Sequence, residues 1–191
     1  MQMLELFSGT KSVSRVFESQ GWECVSLDLK NASIETNILD WDYTQFPPGY
    51  FDFVWASPPC TEYSIAKSTG VRKIDEANKI VLRTLEIIEY LKPKHWVLEN
   101  PQTGYLKKQE FMLGLGFVDV DYCKYGFDYR KRTRLWNNIE GFVPKNLCRG
   151  DCEGFANGKH KKQAQKDFCT VAELYRVPES LVLQIHQSAM N

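Results

Sequence analysis

Apolar and polar positions fall along the first half of the chain in short blocks whose period keeps switching between two and three or four. Residues 3–7 (MLELF) are a short apolar-rich run, broken by Ser8-Gly9, and predict a first strand. Residues 12–20 place Val13, Val16 and Phe17 on one helical face, and Gly21 follows as a stop signal. Residues 23–29 (ECVSLDL) alternate as a second strand, and residues 34–38, ending at Asp40, predict a third. Residues 51–56 (FDFVWA) form a fourth that runs into Ser57-Pro58-Pro59-Cys60. From 74 to 91, Ile74, Ala77, Val81, Leu85, Ile88 and Leu91 recur at helical steps, until Pro93 ends the pattern. Residues 95–98 (HWVL) are a fifth strand entering Glu99-Asn100-Pro101, and residues 118–125 and 134–138 are two more strand candidates.

Alternating strand and helix predict an α/β fold with a mostly parallel, doubly wound, Rossmann-like sheet. Ligands of such sheets bind outside the carboxyl ends of the strands. The chemically unusual residues of this chain sit at those predicted ends: Phe7-Ser8-Gly9, Asp28, Asp40, Pro58-Pro59-Cys60 and Glu99-Asn100. After residue 138 the character changes. Residues 139–169 hold four glycines, three cysteines and a basic run without a period, and read as a loop-rich appendage to a catalytic unit of residues 1–138. In residues 170–191, Thr170 and Glu173 fit a capping box, and Pro178 opens a final helix from its first turn. This end also resembles a helix–turn–helix. Leu181, Val182 and Ile185, however, make an apolar face that predicts packing on the sheet. His95 and His186 read as ordinary structural histidines.

Hydrophobic residues make up 43% of the 191 and charged residues 25%, which excludes a disordered or collagen-like chain. No apolar run approaches the roughly 20 residues needed to span a bilayer, so no membrane partner is expected. No basic stretch precedes an apolar one at the N-terminus, and the expectation is a cytoplasmic protein. The formal net charge is zero, but unevenly so. Residues 124–167 carry 11 basic and 5 acidic side chains, and the rest of the chain 13 and 19. A basic segment of this kind suits a polyanion, or is simply a solvated lysine-rich loop.

Each strand end has a functional and a plain reading. Ser8-Gly9 between a strand and a helix suits a nucleotide or adenosyl ligand, because glycine permits close approach and helix-start amides donate; a tight turn without a ligand is the alternative. Asp28, 19 residues after Gly9, suits ribose hydroxyls, and Asp40 an adenine amino group. Cys60 is held by two φ-locked prolines and is placed like a nucleophile, although a lone cysteine is more often a small buried hydrophobe. Glu99 directly follows an apolar strand, where desolvation favours a proton, unless it caps a turn. In Arg130-Lys131-Arg132-Thr133-Arg134, strand alternation puts arginines on one face, for phosphates and base edges or as an exposed basic edge. In the appendage, Cys148, Cys152 and His160 can supply three zinc ligands, with Cys169 or Cys123 as a fourth; Cys169 completes the set drawn from the appendage alone. Unligated surface thiols are the alternative.

Taken in order, LELFSG, SPPC, LEN and RKRTRLW resemble four motifs of the DNA (cytosine-5) methyltransferase family, over about two thirds of the chain. The small size, and a tail resembling CxxDC…H…RxPxxL, are similar to short homologues carried by phages and other viruses. The resemblance implies a class I fold and S-adenosylmethionine-dependent methylation of cytosine C5 in DNA. It implies Cys60 as nucleophile, Glu99 as the acid that engages cytosine, Asn100 holding that turn, and Arg134 with Arg132 on the base or its phosphates. It implies Phe7 against the adenine, with Leu29 and Trp41 flanking it and Asp40 at its amino group. Ser8, Gly9 and Thr10 would line the methionine end, Asp28 would hold the ribose, and Pro59 would border the sulfonium. A large target-recognition domain and the family's final Asn-containing motif have no counterpart here. Weak sequence specificity, a specificity partner, a homo-oligomer or a non-duplex substrate are therefore all open. An RNA or nucleotide cytosine methyltransferase and an inactive nucleic-acid-binding relative are the rivals, and retention of both Cys60 and Glu99 argues against the second.

Overall fold

A computed structural model describes residues 1–162 and 170–191. In chain order the main elements are β1 (Gln2–Leu6), α1 (Ser14–Ser19), β2 (Glu23–Asp28), β3 (Ile34–Glu35), β4 (Phe53–Ala56), α2 (Ile74–Leu91) and β5 (His95–Pro101). There follow β6 (Phe117–Asp121), β7 (Arg132–Asn137), the short pair β8 (Phe155–Ala156) and β9 (Lys159–His160), α3 (Val171–Tyr175) and α4 (Glu179–Met190). The seven-stranded sheet has the order β3-β2-β1-β4-β5-β7-β6. The first five strands pair in parallel, and β7 is inserted antiparallel to both β5 and β6. The chain winds outward in both directions from β1 and β4. The crevice at this switch point is where a doubly wound sheet takes its ligand.

The central strands are buried on both faces, which is why they read as continuous apolar runs. Met3, Phe53, Trp55 and Val97 pack toward α1 and α4, and Leu4, Val54, Ala56 and Leu98 pack toward α2. The tail helix is part of this structure. Leu181, Val182 and Ile185 of α4 are fully buried in the same core as Phe17 and Trp22. Each contributes roughly 1.5–3 kcal/mol of apolar burial. Its apolar face packs against the sheet-side core, as the sequence predicts. His186 accepts a hydrogen bond from Trp22 Nε1 at 2.9 Å, a structural role. Thr170 and Glu173 form the expected capping box, whereas Pro178 is the N-cap of α4 and lies just before its first turn.

Two elements differ from the sequence reading. The third strand pairs only at Ile34–Glu35, after which the chain turns through Asn37 to Asp40. The run predicted as one strand over 118–125 is β6 to Asp121 and then a 3₁₀ turn, Tyr122–Tyr125, ended by Gly126 at φ +97°. Among the described residues, no helix is long and apolar enough to cross a membrane.

Candidate active site

The turn after β1 is built from backbone that side chains seldom adopt. Phe7 (φ +61°), Gly9 (+47°) and Lys11 (+55°) are all left-handed within five residues. Such conformations cost of order 1–3 kcal/mol each where a side chain is present, and they cluster at ligand sites. The Asp28 carboxylate braces the turn from the end of β2. Its Oδ2 accepts from the Gly9 amide at 2.8 Å, and its Oδ1 from the Leu29 amide at 2.7 Å. Beneath the turn, Glu5 accepts from the Ser14 amide at 2.8 Å and from the Ser14 hydroxyl. Burial raises the Glu5 carboxyl to about 7 against the pull of those hydrogen bonds.

The Pro58-Pro59-Cys60 turn is fixed from two sides. Ser57 Oγ accepts from the buried Trp55 indole at 2.9 Å, and the Pro58 carbonyl accepts from Asn100 Nδ2 at 2.9 Å. Asn100 thus ties the end of β5 to the end of β4 and aligns Glu99 with Cys60. Burial raises the Cys60 thiol above its ordinary value; the neighbouring Glu99 charge adds to this, and Lys131 opposes it. Glu99 is 6% exposed. Its Oε1 accepts from the Tyr122 hydroxyl at 3.0 Å and lies 3.4 Å from Lys131 Nζ.

These groups open on one cavity of about 420 Å³, within the range of nucleoside-sized sites. Phe7, Ser8, Gly9, Asp28, Leu29, Pro59, Cys60, Glu99 and Asn100 all line it. The buried Ser8 Oγ and Asn100 Oδ1 have no hydrogen-bond partner among the described residues. Unpaired buried polar atoms are costly, so their presence at this wall fits a polar ligand. The donor set fits an adenosyl sulfonium: a carboxylate for a diol, exposed backbone beside Gly9, and the apolar Phe7 and Leu29.

Two comparisons decide the family, and a third shows the fold. The model of the C-5 cytosine-specific DNA methylase family matches residues 1–110. A Frog virus 3 (isolate Goorha) protein described as "Probable DNA (cytosine-5)-methyltransferase" is 42% identical over 165 residues, covering 78% of this chain and 76% of that one. The chain belongs to the C-5 cytosine-specific DNA methylase family. The crystal structure of a "putative DNA modification methyltransferase" from an E. coli prophage superposes with a TM-score of 0.56 at 15% identity. It covers 78% of this chain, while the chain spans about half of it, 52%, and the likeness shows the shared class I methyltransferase fold.

Against the family's pattern, five positions stand away from the cavity of this methylase. Asp40 is exposed, and Trp41 is buried in the α2-side core. The chain leaves the sheet at Thr36, so it is Thr36, Asn37 and Ile38 that line the wall expected of Asp40 and Trp41. Arg132 and Arg134 do share a face, but that face of β7 lies opposite two aspartates. Arg132 forks onto Asp121 at 3.0 and 2.8 Å, and Arg134 onto Asp119 at 2.8 and 2.9 Å. They brace the hairpin and do not line the cavity. The lysine between the motif's arginines, Lys131, is the cation that reaches it. Thr10 also lies outside it, in a neighbouring depression with Lys11 and Arg15.

Sequence reasoning missed Glu5, Lys131, Tyr122, Tyr175 and Val177. Tyr175 and Val177 close the cavity wall beside Ser12, whose Oγ accepts from the Val177 amide at 3.0 Å. The signal for Lys131 was present in the alternation itself, once Glu99 is placed opposite that face. In the tail, Cys148, Cys152 and His160 converge with Cys123. Cys169 lies outside the described residues.

Proposed function

We propose that this chain methylates cytosine at C5 in DNA through a covalent adduct between Cys60 Sγ and C6 of the base. The observation that carries the reading is the opening of Cys60 and Glu99 onto the same cavity as the Ser8-Gly9 turn and Asp28. S-adenosylmethionine, when bound there, supplies an electrophilic methyl group. Asp28 would hold its ribose, Phe7 and Leu29 its adenine, Ser8 and Gly9 its methionine end, and Pro59 would border the sulfonium.

The protein's own part is to make C5 nucleophilic. Cys60 gives its proton to water, and the thiolate adds to C6. The electron pair moves toward N3, where a proton shared with the Glu99 carboxyl stabilises the developing charge. Tyr122 and Lys131 hold that carboxyl through Oε1. Once C5 is methylated, its proton leaves to water, the C5=C6 bond re-forms and the thiolate is eliminated. A base in duplex DNA must first leave the stack. The cysteine cluster of the tail touches none of the reacting atoms in this reading. A partner protein or second copy supplies sequence specificity in this reading, because so little chain separates β7 from α3. The cytoplasm of a prokaryotic or virus-infected cell is its expected place.

The test is incubation with labelled S-adenosylmethionine and DNA containing 5-fluorocytosine, in which the C5 substituent cannot leave. The wild-type chain should form a denaturation-resistant complex through Cys60. Cys60→Ala should form none and transfer no methyl group, with cofactor affinity near normal. Transfer by Cys60→Ala, or label entering RNA alone, defeats the proposal.

A further inference from the structure

We infer that Cys123, Cys148, Cys152 and His160 bind one Zn²⁺ and that this knot fastens the tail to the back of the Glu99 site. The first evidence is geometric. One ligand atom from each residue lies within 4.8 Å of the other three. Zinc bonds of about 2.3 Å to sulfur and 2.0–2.1 Å to nitrogen give a tetrahedron with edges of roughly 3.5–3.8 Å. Cys148 Sγ and His160 Nε2 are already 3.6 Å apart. The group needs only a small contraction to become a closed Cys₃His site, the structural type, with no position left open for chemistry.

The second evidence is where the ligands come from. Cys123 belongs to the 3₁₀ turn after β6, Cys148 and Cys152 to the loop after β7, and His160 to β9. Three separate segments deliver soft donors to one point. Between Cys148 and Cys152 the chain turns at Gly150 (φ +88°), whose amide points at Cys148 Sγ at 3.4 Å. An amide aimed at sulfur is the outer-sphere partner a metal thiolate takes. Third, the segment has little apolar support. Between 143 and 162 the buried residues are only Cys148 and Gly154. A loop this poor in apolar contacts gains from a staple. Thiolate-rich tetrahedral sets favour zinc over magnesium, calcium or manganese.

The knot is wired to the cavity through the hairpin. The Cys148 amide donates to Asp121 Oδ2 at 2.9 Å, on the same carboxylate that holds Arg132. Cys123 directly follows Tyr122, whose hydroxyl holds Glu99. Zinc here is a positioning device for that tyrosine, and this second half of the inference rests on the proposed role of Glu99.

The test begins with the metal content of the full chain, purified without added metal. One zinc per chain is expected, released by a thiol-blocking mercurial. Co²⁺ exchanged into the protein should give the intense d–d bands of a tetrahedral site with thiolate charge transfer. Cys123→Ser should lose the metal, and Cys169→Ser should keep it. Should Cys123→Ser fail to fold, His160→Cys provides the check: it should fold, keep one metal and shift the Co²⁺ spectrum toward four sulfurs. A metal-free native chain whose thiols take up neither ion overturns the site. So does retention in Cys123→Ser with loss in Cys169→Ser. For the wiring, Tyr122→Phe should keep its zinc while chelation should slow adduct formation in wild type about as much as that substitution does; unchanged adduct formation after chelation overturns the wiring. Metal counts do not depend on activity, so a normal zinc content with no Cys60 adduct would fail the methylation reading alone.

Discussion

Cys60 stands between opposed fields. Burial is the largest influence on its thiol, the Glu99 charge is the next, and both disfavour the thiolate that must attack; Lys131 pulls the other way. The sign for catalysis follows directly. A thiol raised above its ordinary value is mostly protonated near neutrality, so adduct formation should climb as pH rises through the thiol's range. Lys131→Gln removes the one opposing charge. It should move this rising limb to higher pH and slow adduct formation at pH 7 by on the order of threefold to tenfold, since each pH unit of displacement is tenfold in thiolate. Single-turnover rates against pH, with wild type and variant saturated in cofactor, measure this. An unshifted limb with a uniformly lower rate would mean that Lys131 binds substrate without tuning the sulfur.

Among the elements, the β6–β7 hairpin best separates ion pairs that hold the fold from those that do not. Asp121 has no exposed side-chain surface and serves both the Arg132 fork and the Cys148 amide. Asp121→Ala should cost about 3–5 kcal/mol, the range for a buried pair broken on one side. Lys161 and Asp128, both about half exposed and 3.8 Å apart, offer the contrast; Lys161→Ala should stay within about 0.5 kcal/mol. Denaturant unfolding of the two variants reads the difference. The hairpin also marks what was legible in the chain. β4, α2 and the start of β5 show in sequence because one local period runs through each of them, and Cys60 and Glu99 because they interrupt it at strand ends. The partners of Arg132 and Arg134 do not show, because cross-strand pairing depends on a register that no local pattern carries. Asp40 and Trp41 lie off the cavity wall for a similar reason: β3 pairs for two residues only, and Thr36, Asn37 and Ile38 take that wall. Cys123 sits 25 residues before Cys148 and becomes a neighbour only when β6 and β7 fold back.

On the scale of the whole molecule, the positive stretch that suggested DNA binding is smaller in space than in sequence. Of its basic residues, Lys124, Lys131, Arg132, Arg134 and Lys161 are ion-paired within the protein. Arg130, Lys145, Arg149, Lys159 and Lys162 are the described ones for which the structure shows no ion pair. If each met one phosphate, about five counterions would be released, and log K would fall against log salt with a slope near −4 to −5. Affinity should then be largely lost between 50 and 200 mM salt, on the order of several-hundredfold. Titration of a duplex oligonucleotide by fluorescence anisotropy over that range measures the slope. A slope steeper than about −6 would mean that the Arg132 and Arg134 forks leave Asp121 and Asp119 on binding, turning the hairpin into part of the DNA surface. A slope near −2 would leave most contact to base stacking and would favour a single-stranded substrate. A slope that steepens with protein concentration would mean a second copy on the same DNA, in the place that a target-recognition domain would otherwise fill.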